Sequence, residues 1–140
     1  MILLDTSGLL AALDLGEPRH AAAKAAIRAA SGALALSPFV LAELDYLIST
    51  RVSPAMSRAL LSEVAGGAYR LESMAPADIA EAVDVIDRYQ DLELGLADAS
   101  LVVLSRRYDV TDILTLDERH FRAVRGAGGR PFRILPADAG

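Results

Sequence analysis

Four acidic residues are hard to explain as ordinary surface charge: Asp5, Glu43, Asp98 and Asp117. Asp5 directly follows the apolar run Ile2-Leu3-Leu4, and Asp117 lies two residues beyond Thr115, at the end of another short apolar run. Glu43 and Asp98 fall in helical stretches, where residues three and four apart share a face. Those neighbours include Phe39, Val40 and Leu47 for Glu43, and Leu94, Leu101 and Val102 for Asp98. Each of these two carboxylates thus sits on a stripe otherwise suited to the core, where an unpaired charge costs several kcal/mol. No lysine or arginine lies three or four residues from either acid, so a local counter-charge is missing and a metal ion is the economical compensation. Magnesium and manganese prefer oxygen ligands and need only a few carboxylates together with substrate phosphate oxygens. Such a centre can polarise a phosphoryl oxygen, activate water and stabilise a leaving 3′-oxygen, which is phosphodiester hydrolysis without a covalent protein nucleophile.

Each acid also has a plainer explanation. Asp5 alone could close an Asx-turn into the first helix, and Asp117 could cap the helix that follows it. Glu43 and Asp98 could reach distant arginines in buried ion pairs. The coincidence of all four favours a shared site. Asp45, Asp91 and Asp112 have no comparable placement and read as solvated, Asp112 because it precedes its strand. His20 and His120, among charged or small residues, read as surface histidines. Arg119, Arg122 and Arg125 form an i, i+3, i+6 series that could grip RNA phosphates or simply be a solvated helix face.

The elements that must position these groups follow from punctuation and periodicity. Ile2 to Leu4 reads as a strand, Asp5 to Gly8 as a turn, and Leu9, Leu10 and Leu13 as the start of a helix. His20 to Ala30 is a run of helix formers that stops at Ser31-Gly32, and 33–36 fits a second strand. Ser37-Pro38 and Ser53-Pro54 are start signals for helices to about Thr50 and to Gly66. Further strands are expected at 69–71, 113–115 and 132–135, with helices from Pro76 to about Tyr89, over 96–108 and over 117–124, and a loop at 126–129. Short apolar strands separated mainly by helices call for a parallel sheet covered on both faces, an α/β fold. Ligands of such sheets bind beyond the carboxyl ends of the strands, where strand order reverses, and Asp5 and Asp117 belong to that edge.

Composition sets bounds consistent with this. A chain of 140 residues is one ordinary domain, and 53% hydrophobic with 24% charged residues suits a globular fold. The apolar N-terminus lacks a basic flank and is interrupted by Asp5 and Asp14, well short of the ~18 residues a spanning helix needs. The absence of cysteine excludes disulfides and thiolate chemistry and fits a cytoplasmic setting. A net charge of -5 argues against a nucleic-acid partner, yet residues from Leu101 onward carry seven arginines against five acids, or +2, leaving -7 for the first hundred. A bound cation would also reverse the sign of an acidic site.

Four stretches, ILLDTSGLLAAL at 2–13, SPFVLAELDYL at 37–47, LGLADASLVVLSRR at 94–107 and TLDERHFRAVR at 115–125, together resemble the PIN domain, and within it the VapC-type toxins of bacterial toxin–antitoxin pairs. The resemblance implies a single PIN domain over 1–140, with a Rossmann-like five-stranded sheet in the order 3-2-1-4-5. It implies a Mg²⁺- or Mn²⁺-dependent endoribonuclease whose catalytic quartet is Asp5, Glu43, Asp98 and Asp117, with Asp5, Asp98 and Asp117 as metal ligands. Thr6, Ser7 and Thr115 match polar positions where hydroxyls could hold metal-bound waters, although many relatives carry asparagine in place of Ser7. It further implies an antitoxin partner that blocks the acidic groove, an RNA substrate and a homodimer, with no membrane association. Apolar positions Leu44, Leu47, Ile48, Leu60, Leu61 and Val64 would serve either such contacts or the core. The alternatives are a PIN-type nuclease of RNA processing outside a toxin–antitoxin system, a phosphatase using Asp5 as nucleophile, and a catalytically inactive RNA- or protein-binding module. Ser7 stands where the aspartyl-phosphate signature wants a second aspartate, which disfavours the phosphatase.

Overall fold

Ile2, Leu3 and Leu4 are 2, 0 and 0% exposed. Because successive strand side chains point to opposite faces, such a run fits only a sheet covered on both sides. That is the arrangement in the computed structural model, which describes residues 1–140. Strands β1 (Ile2–Leu4), β2 (Leu34–Leu36), β3 (Arg70–Leu71), β4 (Asp112–Leu114) and β5 (Arg133–Leu135) form one parallel sheet in the order β3-β2-β1-β4-β5. The order reverses between β1 and β4, so the carboxyl ends of these two strands flank the crevice where ligands of such sheets bind.

Seven α-helices make the connections: α1 (Thr6–Leu13), α2 (His20–Ala29), α3 (Pro38–Arg51), α4 (Pro54–Ala65), α5 (Pro76–Arg88), α6 (Leu96–Tyr108) and α7 (Glu118–Ala123). Helices α3 and α4 start as the Ser-Pro signals require. The Ser37 and Ser53 hydroxyls accept the amides of Phe39 and Met56, and proline occupies the first helical position, where no N–H is needed. Helix α6 is buried nearly all round, with every residue from Ala99 to Ser105 in the interior, and it packs against β1, α3 and α5. A buried hydrogen bond of 2.7 Å between Ser37 and Ser100 ties the start of α3 to α6.

Two corrections to the expected elements matter for the site. The fourth strand is Asp112–Leu114 rather than 113–115, so Asp112 opens β4 at its amino end, where it pairs with Arg133 at 3.0 Å. Thr115 then lies just beyond the strand, free to turn its hydroxyl toward β1. The expected loop at 126–129 contains a short 3₁₀ turn over 127–129. The apolar positions of α3 and α4 are mostly core: Leu44, Ile48, Leu60 and Val64 are buried, Leu47 is half-buried and Leu61 is 40% exposed. Asp45 is half-buried, not solvated, because Ser57 of α4 donates a hydrogen bond to it, whereas Asp91 is exposed as expected. His20 likewise is no free surface group; its Nδ1 meets the Ala11 carbonyl oxygen at 2.9 Å and links α2 to α1.

The crossing of α1 over β4 is set by one glycine. A Cβ on Gly8 would overlap the Leu114 carbonyl and lie 2.8 Å from the Thr115 amide nitrogen, so a side chain there would push the helix off the strand end.

Candidate active site

Asp5 occupies the N-cap position of α1 but makes no capping hydrogen bond, so the Asx-turn explanation does not describe it. Its Oδ2 accepts instead from the Thr115 hydroxyl at 2.6 Å and from the Ser7 hydroxyl at 3.1 Å. Those hydroxyls are themselves fixed, Thr115 Oγ1 accepting the Asp117 amide and Ser7 Oγ the Leu116 amide, both at 2.9 Å. The end of β4 thereby orients a carboxylate at the end of β1. Ser7 and Thr115 thus act on Asp5 directly, and Ser7 also lines the groove. Burial pushes the Asp5 carboxyl up from 3.8 to about 6, against the stabilising hydroxyls, with the nearby Asp98 charge adding to the rise.

Asp98 stands in the first turn of α6 and is half-buried, with its Oδ2 3.4 Å from the Gly95 amide. Its carboxyl is also raised, mainly by burial, with Asp117 and Glu43 adding repulsion and the Gly95 amide and His120 opposing it. Asp117 caps α7, its Oδ1 accepting the His120 amide at 3.0 Å, so the capping explanation for this residue holds alongside its place in the site. Glu43 departs from expectation. The core stripe of α3 is Val40, Leu44 and Ile48, and Glu43 lies beside it, exposed at the groove wall with Leu47. The charge is accommodated by solvent rather than tolerated in the core.

The four acids are nonetheless brought together. Asp5, Glu43, Asp98 and Asp117 line one open groove of about 310 Å³ at the carboxyl edge of the sheet, with Thr6, Ser7 and Leu10 from α1. The arginines that engage carboxylates all choose others: Arg70, Arg106, Arg107, Arg122, Arg130 and Arg133 pair with Glu72, Glu81, Asp78, Glu118, Asp138, Asp109 and Asp112. The buried ion pairs considered for Glu43 and Asp98 are not formed. A second cavity of about 240 Å³ lies at the opposite edge, where its only charged pair, Asp112 and Arg133, is already matched.

Two functional candidates escaped the sequence reading. His120 is 17% exposed, with Nδ1 2.8 Å from Asp117 Oδ2 and 3.6 Å from Asp98 Oδ2. The shorter approach lacks hydrogen-bond geometry and both ring nitrogens are buried without a hydrogen-bond partner, so the contact is one of charge and proximity. Asp98, Asp117 and His120 place one potential ligand atom each within 4.8 Å of one another. The i, i+3 spacing from Asp117 was the available signal, overridden by the charged neighbours Glu118 and Arg119. The other is Arg51, which lines the groove and follows Glu43 and Leu47 at spacings of four. Of the three expected phosphate contacts, Arg119 in α7 and Arg125 just beyond it are exposed without ion pairs, but Arg122 is clamped by Glu118 at 2.8 Å and Asp138 at 2.7 Å, so the three are not a free basic series.

The residues fit a hard divalent cation. The donors are carboxylate oxygens, burial of Asp5 and Asp98 disfavours their charged forms, and Thr6 Oγ1 beside them is buried without a hydrogen-bond partner. An ion with its waters would satisfy all of these together.

An acidic cluster at the switch point of a five-stranded 3-2-1-4-5 sheet defines the class, and the chain belongs to the PIN domain family, whose model matches residues 2–127. It is 47% identical over 135 residues to Ribonuclease VapC26 of Mycobacterium tuberculosis (strain ATCC 25618 / H37Rv), covering 96% of this chain and all of that protein. The crystal structure of Mycobacterium tuberculosis VapC20, described as a sarcin–ricin loop cleaving toxin, superposes with a TM-score of 0.78 at 22% identity, over 84% of this chain and 90% of the other. FitAcB from Neisseria gonorrhoeae gives 0.58 at 18% identity, over 84% and 88%. At these identities the two structural likenesses are of fold alone.

Proposed function

We propose that this chain is a Mg²⁺- or Mn²⁺-dependent endoribonuclease, hydrolysing RNA phosphodiester bonds as the toxin of a type II toxin–antitoxin pair. The observation that carries the reading is the gathering of Asp5, Glu43, Asp98 and Asp117 around one open groove with no lysine or arginine paired to any of them. The 47% identity to a protein named a ribonuclease supports the same activity.

Asp5, Asp98 and Asp117 would hold the ion, which when bound supplies Lewis acidity at a phosphoryl oxygen and charge for the leaving 3′-oxygen. The Thr115 and Ser7 hydroxyls keep Asp5 turned toward the groove, and α7 keeps Asp117 there through its own first amides. Glu43, exposed on the facing wall, is free of ligand duty and suited to take the proton of the attacking water. Arg119 and Arg125, exposed on and just beyond the helix that Asp117 caps, would meet more distant RNA phosphates. The chain would act as a single domain over 1–140, in the cytoplasm, as a homodimer silenced by an antitoxin. No helix is long and apolar enough to cross a membrane.

The decisive test is digestion of RNA by wild type and Asp5→Asn, with Mn²⁺ or with EDTA, and mapping of the cut ends. Cleavage by wild type with Mn²⁺ only, and none by the variant, is expected. Equal, EDTA-insensitive cleavage by both proteins would end the metal-nuclease reading.

A further inference from the structure

Besides its four acids the groove contains one cation, Arg51, the last residue of α3. Glu43, Leu47 and Arg51 form an i, i+4, i+8 row along the helix face that borders the groove, so the guanidinium belongs to the same wall as the exposed carboxylate. The Arg51 side chain is exposed and its guanidinium forms neither an ion pair nor a hydrogen bond within the chain, although carboxylates line the groove with it. Nor does it cap its helix: the end of α3 is closed by the Val52 and Ser53 amides, which both bond the Ile48 carbonyl oxygen, at 2.9 and 3.0 Å.

We propose that Arg51 binds an RNA phosphate adjacent to the one being cleaved and so positions the strand in the groove. The proposal rests on the nuclease reading above. A polyanion entering a groove of four carboxylates is repelled, and a metal ion there offsets this at the scissile phosphate but not at its neighbour. A planar guanidinium presents paired donors matched to phosphate oxygens, and one held free of carboxylates keeps them available. The α7 arginines offer no equivalent, because none of them lines the groove and Arg122 is already matched by two acids.

The experiment compares wild type, Arg51→Ala and Arg51→Lys in cleaving a single-stranded RNA with Mn²⁺, as KM, kcat and their salt dependence. Binding of the same RNA is measured in an Asp5→Asn background, with and without Arg51→Ala. Loss of one charge-assisted contact should raise KM and weaken binding about ten- to a hundred-fold, with little change in kcat. The plot of log affinity against log salt should become shallower by about 0.7, one phosphate on a single strand. Lysine should restore the slope and only part of the affinity, while Mn²⁺ affinity stays at or above the wild-type level. A merely structural role would leave the salt slope unmoved. Cleavage with the same KM and slope in all three proteins would overturn the role of Arg51 and leave the nuclease standing. RNA that binds wild type, binds Arg51→Ala more weakly and is never cut would do the reverse. An RNA that is neither bound nor cut overturns both.

Discussion

Asp5→Asn should make the metal-free protein more stable, and the size of the gain follows from the burial of the carboxyl. Asp5 is 4% exposed, and burial moves its pKa from 3.8 to about 6. That difference, at about 1.4 kcal/mol per pK unit, is about 3 kcal/mol. The sign follows from proton binding. Between pH 3.8 and about 6 the folded protein holds a proton on Asp5 that the unfolded chain has released, so stability is full below 3.8 and falls as pH rises toward 6. Above that the ionised group remains as a constant cost. Asparagine is close in shape, still accepts the Thr115 and Ser7 hydroxyls through its carbonyl oxygen, and carries no charge to desolvate. Urea unfolding in EDTA at pH 4, 5, 6 and 8 should therefore show the two proteins nearly equal at pH 4. The variant should lead by up to about 3 kcal/mol at pH 8, or roughly 9 °C in Tm for a domain of this size. Mn²⁺ at about 1,000 times Kd should reverse the ranking, since it adds about 4.1 kcal/mol to the protein that binds it and nothing to one that does not. An Asp5→Asn protein no more stable than wild type at pH 8, or a lead that persists unchanged at pH 4, would refute the idea that an uncompensated buried charge is stored at this position.

Two other perturbations test neighbouring parts of the same reasoning. Gly8→Ala places a methyl group against the Leu114 carbonyl and the Thr115 amide; it should destabilise the fold by about 1–3 kcal/mol in urea and weaken Mn²⁺ binding by displacing Thr115 from Asp5, and wild-type values for both would show that α1 can shift freely. His120→Ala should weaken Mn²⁺ binding about tenfold or more by freeing the Asp117 and Asp98 carboxylates, with partial recovery in His120→Asn; unchanged titration calorimetry would mean that the capping of α7 alone holds Asp117.

Much of the frame was legible because local physics dictates it. Ser-Pro pairs start α3 and α4, Ser31-Gly32 follows α2, and the short apolar runs at 2–4 and 113–114, bounded by turn residues, suit strands buried on both faces. The chemistry of the acids was legible for a related reason: Asp5 and Asp117 follow strands, and the strand-to-helix turns of an α/β sheet are where ligands sit. The resemblance carried by the four motif stretches supplied the strand order, which periodicity alone does not contain.

Side-chain environment is a property of three dimensions, and there the reading failed. Glu43 was placed on the core stripe because Phe39, Val40 and Leu47 are apolar, but a helix has neighbouring stripes only tens of degrees apart. The packing of α3 chose Val40, Leu44 and Ile48, turning Glu43, Leu47 and Arg51 to the groove. His120 looked solvated beside charged neighbours, yet the short α7 turns it inward against Asp98, a residue 22 positions earlier whose location only the sheet topology decides. Sequence by itself determined the elements and the kinds of atom available, since both depend on residues close along the chain. Tertiary structure alone decided which oxygens share a groove, which cations are matched elsewhere and which hydroxyls hold Asp5, because each depends on contacts between segments up to 110 residues apart.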